Sequence, residues 1–236
     1  MDIYPVLNCR DAGEVHDTLK VVQGFLPYGQ WIHLDVADAK FTPHKTWNAP
    51  EDWPSFRMNY ALEVHLMTEE PEKEVPRWLA AGARRVIVHL EALTNDEHHV
   101  ARRGVDELIT EILSACFPAN AEALLAVNPE TPVATSVQHF KRFNGAQILA
   151  VNPGLSGQKF QSTVLQKMTY LRQVMPGVTI EVDGGVTPSI VRRAKEAGAT
   201  IAVSAHYIFE SGDPKHAYNE LVAAAKGLAP GERDAW

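Results

Sequence analysis

Residues 31–41 read WIHLDVADAKF, an apolar run that carries a histidine and an aspartate two positions apart. Side chains alternate faces along a strand, so His33 and Asp35 point the same way. In a closed barrel that way is toward the axis, where an unpaired carboxylate is costly unless a metal or a substrate meets it. The stretch therefore predicts a barrel strand whose inner face holds a site. Two further stretches carry the same signal. ALEVHLM at 61–67 has His65 near its end, and TIEVDGG at 179–185 ends on Asp183 followed by Gly184 and Gly185.

Outward from these, strand patterns at 3–7, 85–90, 121–127, 146–151 and 200–204 alternate with helical spacing at 13–24, 71–81, 104–114, 134–143, 162–175 and 214–228. Thr187 and Pro188 form the N-cap and first turn of another helix through Ala197. Segment 42–59, with three prolines and two tryptophans, is expected to be a long loop with at most a short helix. Eight strands alternating with helices or helix-like connections predict an α/β fold, a (β/α)8 TIM barrel. The 236 residues, 45% of them hydrophobic, suit one domain with one core, residues 230–236 being a frayed tail.

A formal net charge of −7 argues against nucleic acid as the main partner, while backbone N–H groups can still hold a small anionic substrate. The doublets Arg84-Arg85, Arg102-Arg103 and Arg192-Arg193 read as solvated helix faces. Cys9 and Cys116 form no disulfide framework, which fits a reduced cytoplasmic setting. No signal pattern opens the chain, and no apolar run approaches a membrane span. Neither a GxGxxG that opens a helix nor a Walker sequence is present.

On the C-terminal side of a barrel all strand ends face one mouth, so His33, Asp35, His65 and Asp183 converge there. Two imidazoles and two carboxylates suit one divalent metal ion: zinc, iron(II), manganese or cobalt. Each residue alone reads more simply as a satisfied core histidine or a capping aspartate. The four together favour a site, whereas His89 and Asp38 keep the simpler reading.

The same residues resemble a known family. HLDVADAKF is similar to the HxDxxDxxF stretch of ribulose-phosphate 3-epimerases, and EVHLMTEEPE, VHLEA, LAVNPETPV, VNPGLSGQKF and EVDGGVTPSIVRRAKEAGA follow in the family's order. The resemblance thins over 93–120 and after 210. It implies that His33, Asp35, His65 and Asp183 are metal ligands, and that Asp35 and Asp183 are also the acid/base pair. Met67 would cap the metal site, and the backbone of Gly154, Ser156, Gly157, Gly184 and Gly185 would hold a phosphate.

The implied activity is isomerase chemistry of the pentose phosphate pathway, inverting C3 of ribulose 5-phosphate to give xylulose 5-phosphate. A six-carbon ketose phosphate as substrate, or a retired barrel that only binds a metabolite, are the alternatives, and a homo-oligomer is left open. Departures from the family pattern gather at Ala37, Ala39, Ser156, Ala205 and His206. Ala205 adds a Cβ where a glycine would leave the backbone free, and His206 replaces a compact hydroxyl with a ring that can carry charge. The family's early serine corresponds to Val6 or to Asn8, and Asn8 is counted with the substrate-binding residues.

Overall fold

Strand patterns rich in valine, isoleucine and leucine close on themselves in the computed structural model, which describes residues 1–94, 104–154 and 157–228. Strands β1 (Asp2–Leu7), β2 (Trp31–Ala37), β3 (Ala61–Met67), β4 (Arg85–His89), β5 (Glu122–Val127), β6 (Gly145–Leu149), β7 (Thr179–Asp183) and β8 (Ile201–Ser204) pair in chain order. All pairs are parallel, and β8 returns to β1. Closure leaves no edge strand exposed. Around the barrel run α1 (Ala12–Gln23), α2 (Pro71–Ala80), α3 (Leu90–Thr94), α4 (Val105–Cys116), α5 (Val137–Phe140), α6 (Val164–Val174), α7 (Pro188–Glu196), α8 (His206–Phe209) and α9 (Pro214–Lys226).

Period-two alternation sorts the strand residues into two environments. Ile32, Leu34 and Val36 of β2 and Leu62, Val64 and Leu66 of β3 face outward, sharing a core with Val15 and Leu19 of α1 and Val75 and Trp78 of α2. The interior holds two apolar patches, Tyr4, Val6, Ile201 and Val203 on one side and Ile87, Leu124, Ala126 and Leu149 on the other. Between them lie His33, Glu63, His65, Arg85, His89, Gln147 and Glu181, all buried. Pairing holds most of these groups, because each unpaired one would cost on the order of 1–3 kcal/mol, and among them Gln147 Oε1 and Glu181 Oε2 are left without a partner.

Local sequence sets the helix ends. Asp11 accepts a hydrogen bond from the Glu14 N–H at 3.0 Å to open α1, and Thr187 Oγ1 accepts from the Ile190 N–H ahead of Pro188 to open α7. Segment 42–59 contains a 3-10 helix, Pro50–Phe56, and docks through Trp47, which meets Trp78 edge-on at 5.8 Å.

Three expectations change. The helix expected over 134–143 is a 3-10 turn, Ala134–Ser136, followed by the single turn of α5. The chain turns early because Phe140 is buried and Asn144 Oδ1 accepts from the Ala123 N–H at 2.9 Å. Strand β4 stops at His89, since Leu90 opens α3 and packs inward with Leu93. Arg85 is no solvated helix residue but the buried first residue of β4. Arg102, Arg103, Ser156 and the tail 230–236 lie outside the described residues. Among the described residues, no helix is long and apolar enough to cross a membrane.

Candidate active site

Strands β2, β3 and β7 end at the same mouth, and the register pairs Asp35 with His65 and aligns Asp183 with Leu149 and Val203. One ligand atom each from His33, Asp35, His65 and Asp183 all lie within 4.8 Å of one another. His65 Nδ1 stands 3.0 Å from Asp35 Oδ1 and 3.6 Å from Asp183 Oδ2, and His33 Nε2 stands 3.2 Å from Asp35 Oδ1. The four residues singled out in the sequence therefore meet.

Their surroundings are a hydrogen-bonded seam along the barrel axis. Arg85 donates to Glu63 Oε2 at 2.6 Å, and Glu63 Oε1 lies 2.7 Å from His33 Nδ1. Past the mouth, His65 Nε2 contacts His89 Nε2 at 2.8 Å, and His89 Nδ1 contacts Glu91 Oε2 at 3.2 Å. Glu91 Oε1 accepts from the Asn128 N–H at 2.8 Å and from the Thr131 hydroxyl. Asp38 keeps its simpler role, accepting from the N–H groups of Lys40, Phe41 and Glu69.

Electrostatics separate the two aspartates. Burial acts to raise the Asp35 carboxyl, but hydrogen bonds from His33 and His65 outweigh it and hold it well below the usual carboxylate range. Asp183 lacks that support, so burial, with the Asp35 charge nearby, pushes it up to about 7. Burial alone would lower His33, yet its bonds to Asp35 and Glu63 raise it well above the ordinary histidine value. Burial leaves His65 and His89 lowered, and hence neutral. Glu91, which burial acts to raise, is brought down to about 2 by His89 and its other donors.

These protonation states test whether a cation fits. The run Asp35, His65, His89, Glu91 makes three contacts between two carboxylates, and two neutral imidazoles bring only two protons to fill them. A divalent ion among Asp35, His65, Asp183 and His33 removes the deficit, because lone pairs at that end then face positive charge. The donor set fits such an ion, which would displace the proton that His33 Nε2 shares with Asp35 in its absence. The lower trio His33, Glu63 and Glu181 also brings ligand atoms together, but the Arg85 guanidinium already supplies its cation.

Beside these four residues opens a cleft of roughly 390 Å³ lined by Val6, Asn8, Met67, Gly154, Gly184 and Ala205 among others. Asn8 donates to Asp35 Oδ2 at 2.9 Å. Gly184 and Gly185 have φ of 100° and 65°, and a Cβ would come within 2.4 Å of Val151 Cγ2 at the first and 2.6 Å of Phe160 N at the second. Only glycines make this cradle. Ala205 has φ −100°, so its Cβ brings no left-handed strain there, whereas Ala39 does sit left-handed at φ 63°. His206 opens α8 and lines the cleft with its ring against Gly157, where an added Cβ would lie 3.2 Å from Nδ1. Lys159 and Arg193 also line the cleft, so Arg193 is more than a solvated helix residue.

An eight-stranded parallel barrel with histidines and aspartates gathered at its mouth and a glycine-lined cleft beside them has the layout of a (β/α)8 enzyme. The profile of the ribulose-phosphate 3 epimerase family matches residues 10–209, and the chain belongs to that family, whose members are isomerases. A ribulose-phosphate 3-epimerase of Schizosaccharomyces pombe is 31% identical over 89% of this chain and 89% of its own. The chloroplastic ribulose-5-phosphate-3-epimerase of Arabidopsis thaliana is 35% identical over 96% of this chain and 78% of its own. The crystal structure of 3-hexulose-6-phosphate synthase from Salmonella typhimurium shares the fold, with a TM-score of 0.68 at 14% identity over 97% of this chain and all of that one.

Glu63, Arg85, Glu181, His89 and Glu91 escape the sequence reading as site components. Glu63 and Glu181 stand two residues before His65 and Asp183, the same period-two spacing that joins His33 to Asp35, so the signal was there.

Proposed function

We propose that the chain inverts C3 of D-ribulose 5-phosphate to give D-xylulose 5-phosphate through an enediolate, with Asp35 and Asp183 as the acid/base pair. The observation that carries this reading is the meeting of two carboxylates, Asp35 of β2 and Asp183 of β7, at one mouth beside His33 and His65, with one ligand atom of each within 4.8 Å of the others. Inversion next to a carbonyl needs one group to take a proton from one face and another to return it on the opposite face. Asp35 and Asp183 are the two groups placed for these parts, and the roles exchange on the return reaction.

A divalent ion held by His33, Asp35, His65 and Asp183 supplies positive charge for the substrate oxygens as negative charge develops on them. Asn8 holds the second oxygen of Asp35, keeping the carboxylate aimed. Met67 walls the ion's surroundings with apolar surface. Backbone N–H groups near Gly154, Gly157, Gly184, Gly185, Ala205 and His206 take the phosphate, with Lys159 and Arg193 drawing the dianion toward an otherwise acidic molecule. The two cysteines, free and buried, suit work in a reducing cytoplasm.

The test is an assay of the purified chain loaded in turn with zinc, manganese, cobalt and iron(II), with ribulose 5-phosphate in deuterated solvent. Xylulose 5-phosphate carrying deuterium at C3 is the expected product. No turnover with any metal refutes the activity, and faster turnover of a six-carbon ketose phosphate transfers it to that substrate.

A further inference from the structure

Glu91 sits at the outer end of the seam, at the start of α3, and accepts at both oxygens. Oε1 takes the Asn128 N–H at 2.8 Å and the Thr131 hydroxyl, and Oε2 faces His89 Nδ1 at 3.2 Å. A carboxylate has no proton to give, so His89 must present Nδ1–H to it and a bare Nε2 to His65. With an ion bound, His65 then donates Nε2–H across the 2.8 Å contact, and its Nδ1, which bonds Asp35 when no ion is there, is left as a lone pair toward Asp35 and Asp183. Packing fixes the rings as well, because His89 stacks on His65 at 5.0 Å and meets Phe41 at 4.7 Å. The Asn128–Thr131 loop is itself clamped by Lys167, whose Nζ donates to the carbonyl oxygens of both residues.

We infer that Glu91 and His89 are positioning residues that set the tautomer of His65, so that Nδ1 is presented as the metal-ligating atom. Neither touches substrate, and the inference rests on the metal site proposed above. It singles out a carboxylate at 91. In Glu91→Gln the main-chain N–H of Asn128 claims the amide oxygen, which turns the NH2 group toward His89. His89 then accepts at Nδ1, donates at Nε2, and forces the proton of His65 onto Nδ1, where it blocks ligation.

The test measures zinc affinity of the full-length chain by chelator competition, wild type against Glu91→Gln, together with the His89 tautomer in zinc-loaded wild type by long-range ¹⁵N–¹H correlation. The expected results are affinity lowered by about 10- to 100-fold in Glu91→Gln and His89 in the Nδ1–H form. A folded Glu91→Gln that binds zinc within about twofold of wild type would overturn the relay alone, by the same measure of such outer contacts. His89 found as the Nε2–H form would overturn it whatever the variant does. A wild-type chain that binds no zinc would overturn the metal site and the relay with it.

Discussion

Asp35 and Asp183 answer the same burial in opposite ways, because His33 and His65 reach the first and not the second with hydrogen bonds. Asp35→Asn and Asp183→Asn should each lower turnover by about 100-fold or more, with losses far from additive. Following C3–H exchange with deuterated solvent in each variant checks this, and wild-type turnover in either would sink the two-carboxylate mechanism. Asp183 also carries a stability cost in the metal-free chain. Its folded pKa of about 7 stands above the ordinary aspartate value of 3.8, so the folded state holds more protons between these values and stability falls as pH rises through that window. Metal-free Asp183→Asn should therefore melt above wild type at pH near 8, converging with it toward pH 4, as thermal scans across that range would show. Added zinc should reverse the order. The cluster of His33, Asp35, His65 and Asp183 was legible because histidine and aspartate stand out in apolar strands. Arg85 was not, since a doublet of arginines looks the same whether it ends a loop or starts a buried strand.

Elements, rather than single groups, build the glycine cradle, as β7 delivers Gly184 and Gly185 against the loop that follows β6. Gly184→Ala would drive a Cβ to 2.4 Å from Val151 Cγ2 and hold alanine at φ 100°. The expected outcome in steady-state kinetics is KM for the phosphorylated ketose raised at least about tenfold, with kcat changed less. An unchanged KM would remove the glycine pair from phosphate binding. The loop after β2 offers the converse case, because Ala39 occupies a left-handed conformation at φ 63° that glycine would hold without strain. Ala39→Gly should stabilise the chain by about 1 kcal/mol in denaturant unfolding. All eight strands were readable as short, mostly apolar runs, but α3 and α8 were not, for a helix of one turn leaves no period to read. The missing turn at Leu90 matters most, because it aims Glu91 at His89.

For the molecule as a whole, the closed barrel turns residues far apart in sequence into neighbours, and this is why a reading by strand ends could assemble the mouth. It could not see the axis beneath, where Gln147 and Glu181 pair at 3.0 Å and the Arg85 guanidinium lies 4.3 Å from the Trp31 ring centre. That axis has a consequence in terms of ionic strength. Mobile ions screen charges they can approach, over about 10 Å at 0.1 M salt, and cannot enter a packed barrel. Pairs on the outside such as Lys20 with Asp17 and Lys73 with Glu70 should fade with added salt, while Arg85 with Glu63 should not. Melting of Glu63→Gln against wild type, from about 0.01 M to 1 M sodium chloride, should show a constant difference, and a gap that closes with salt would mean the axis is open to solvent. Capture of a dianion by Lys159 and Arg193 at the exposed rim should weaken over the same range. A change of ionic medium would thus tune how often the barrel is visited and leave untouched the machinery that waits inside.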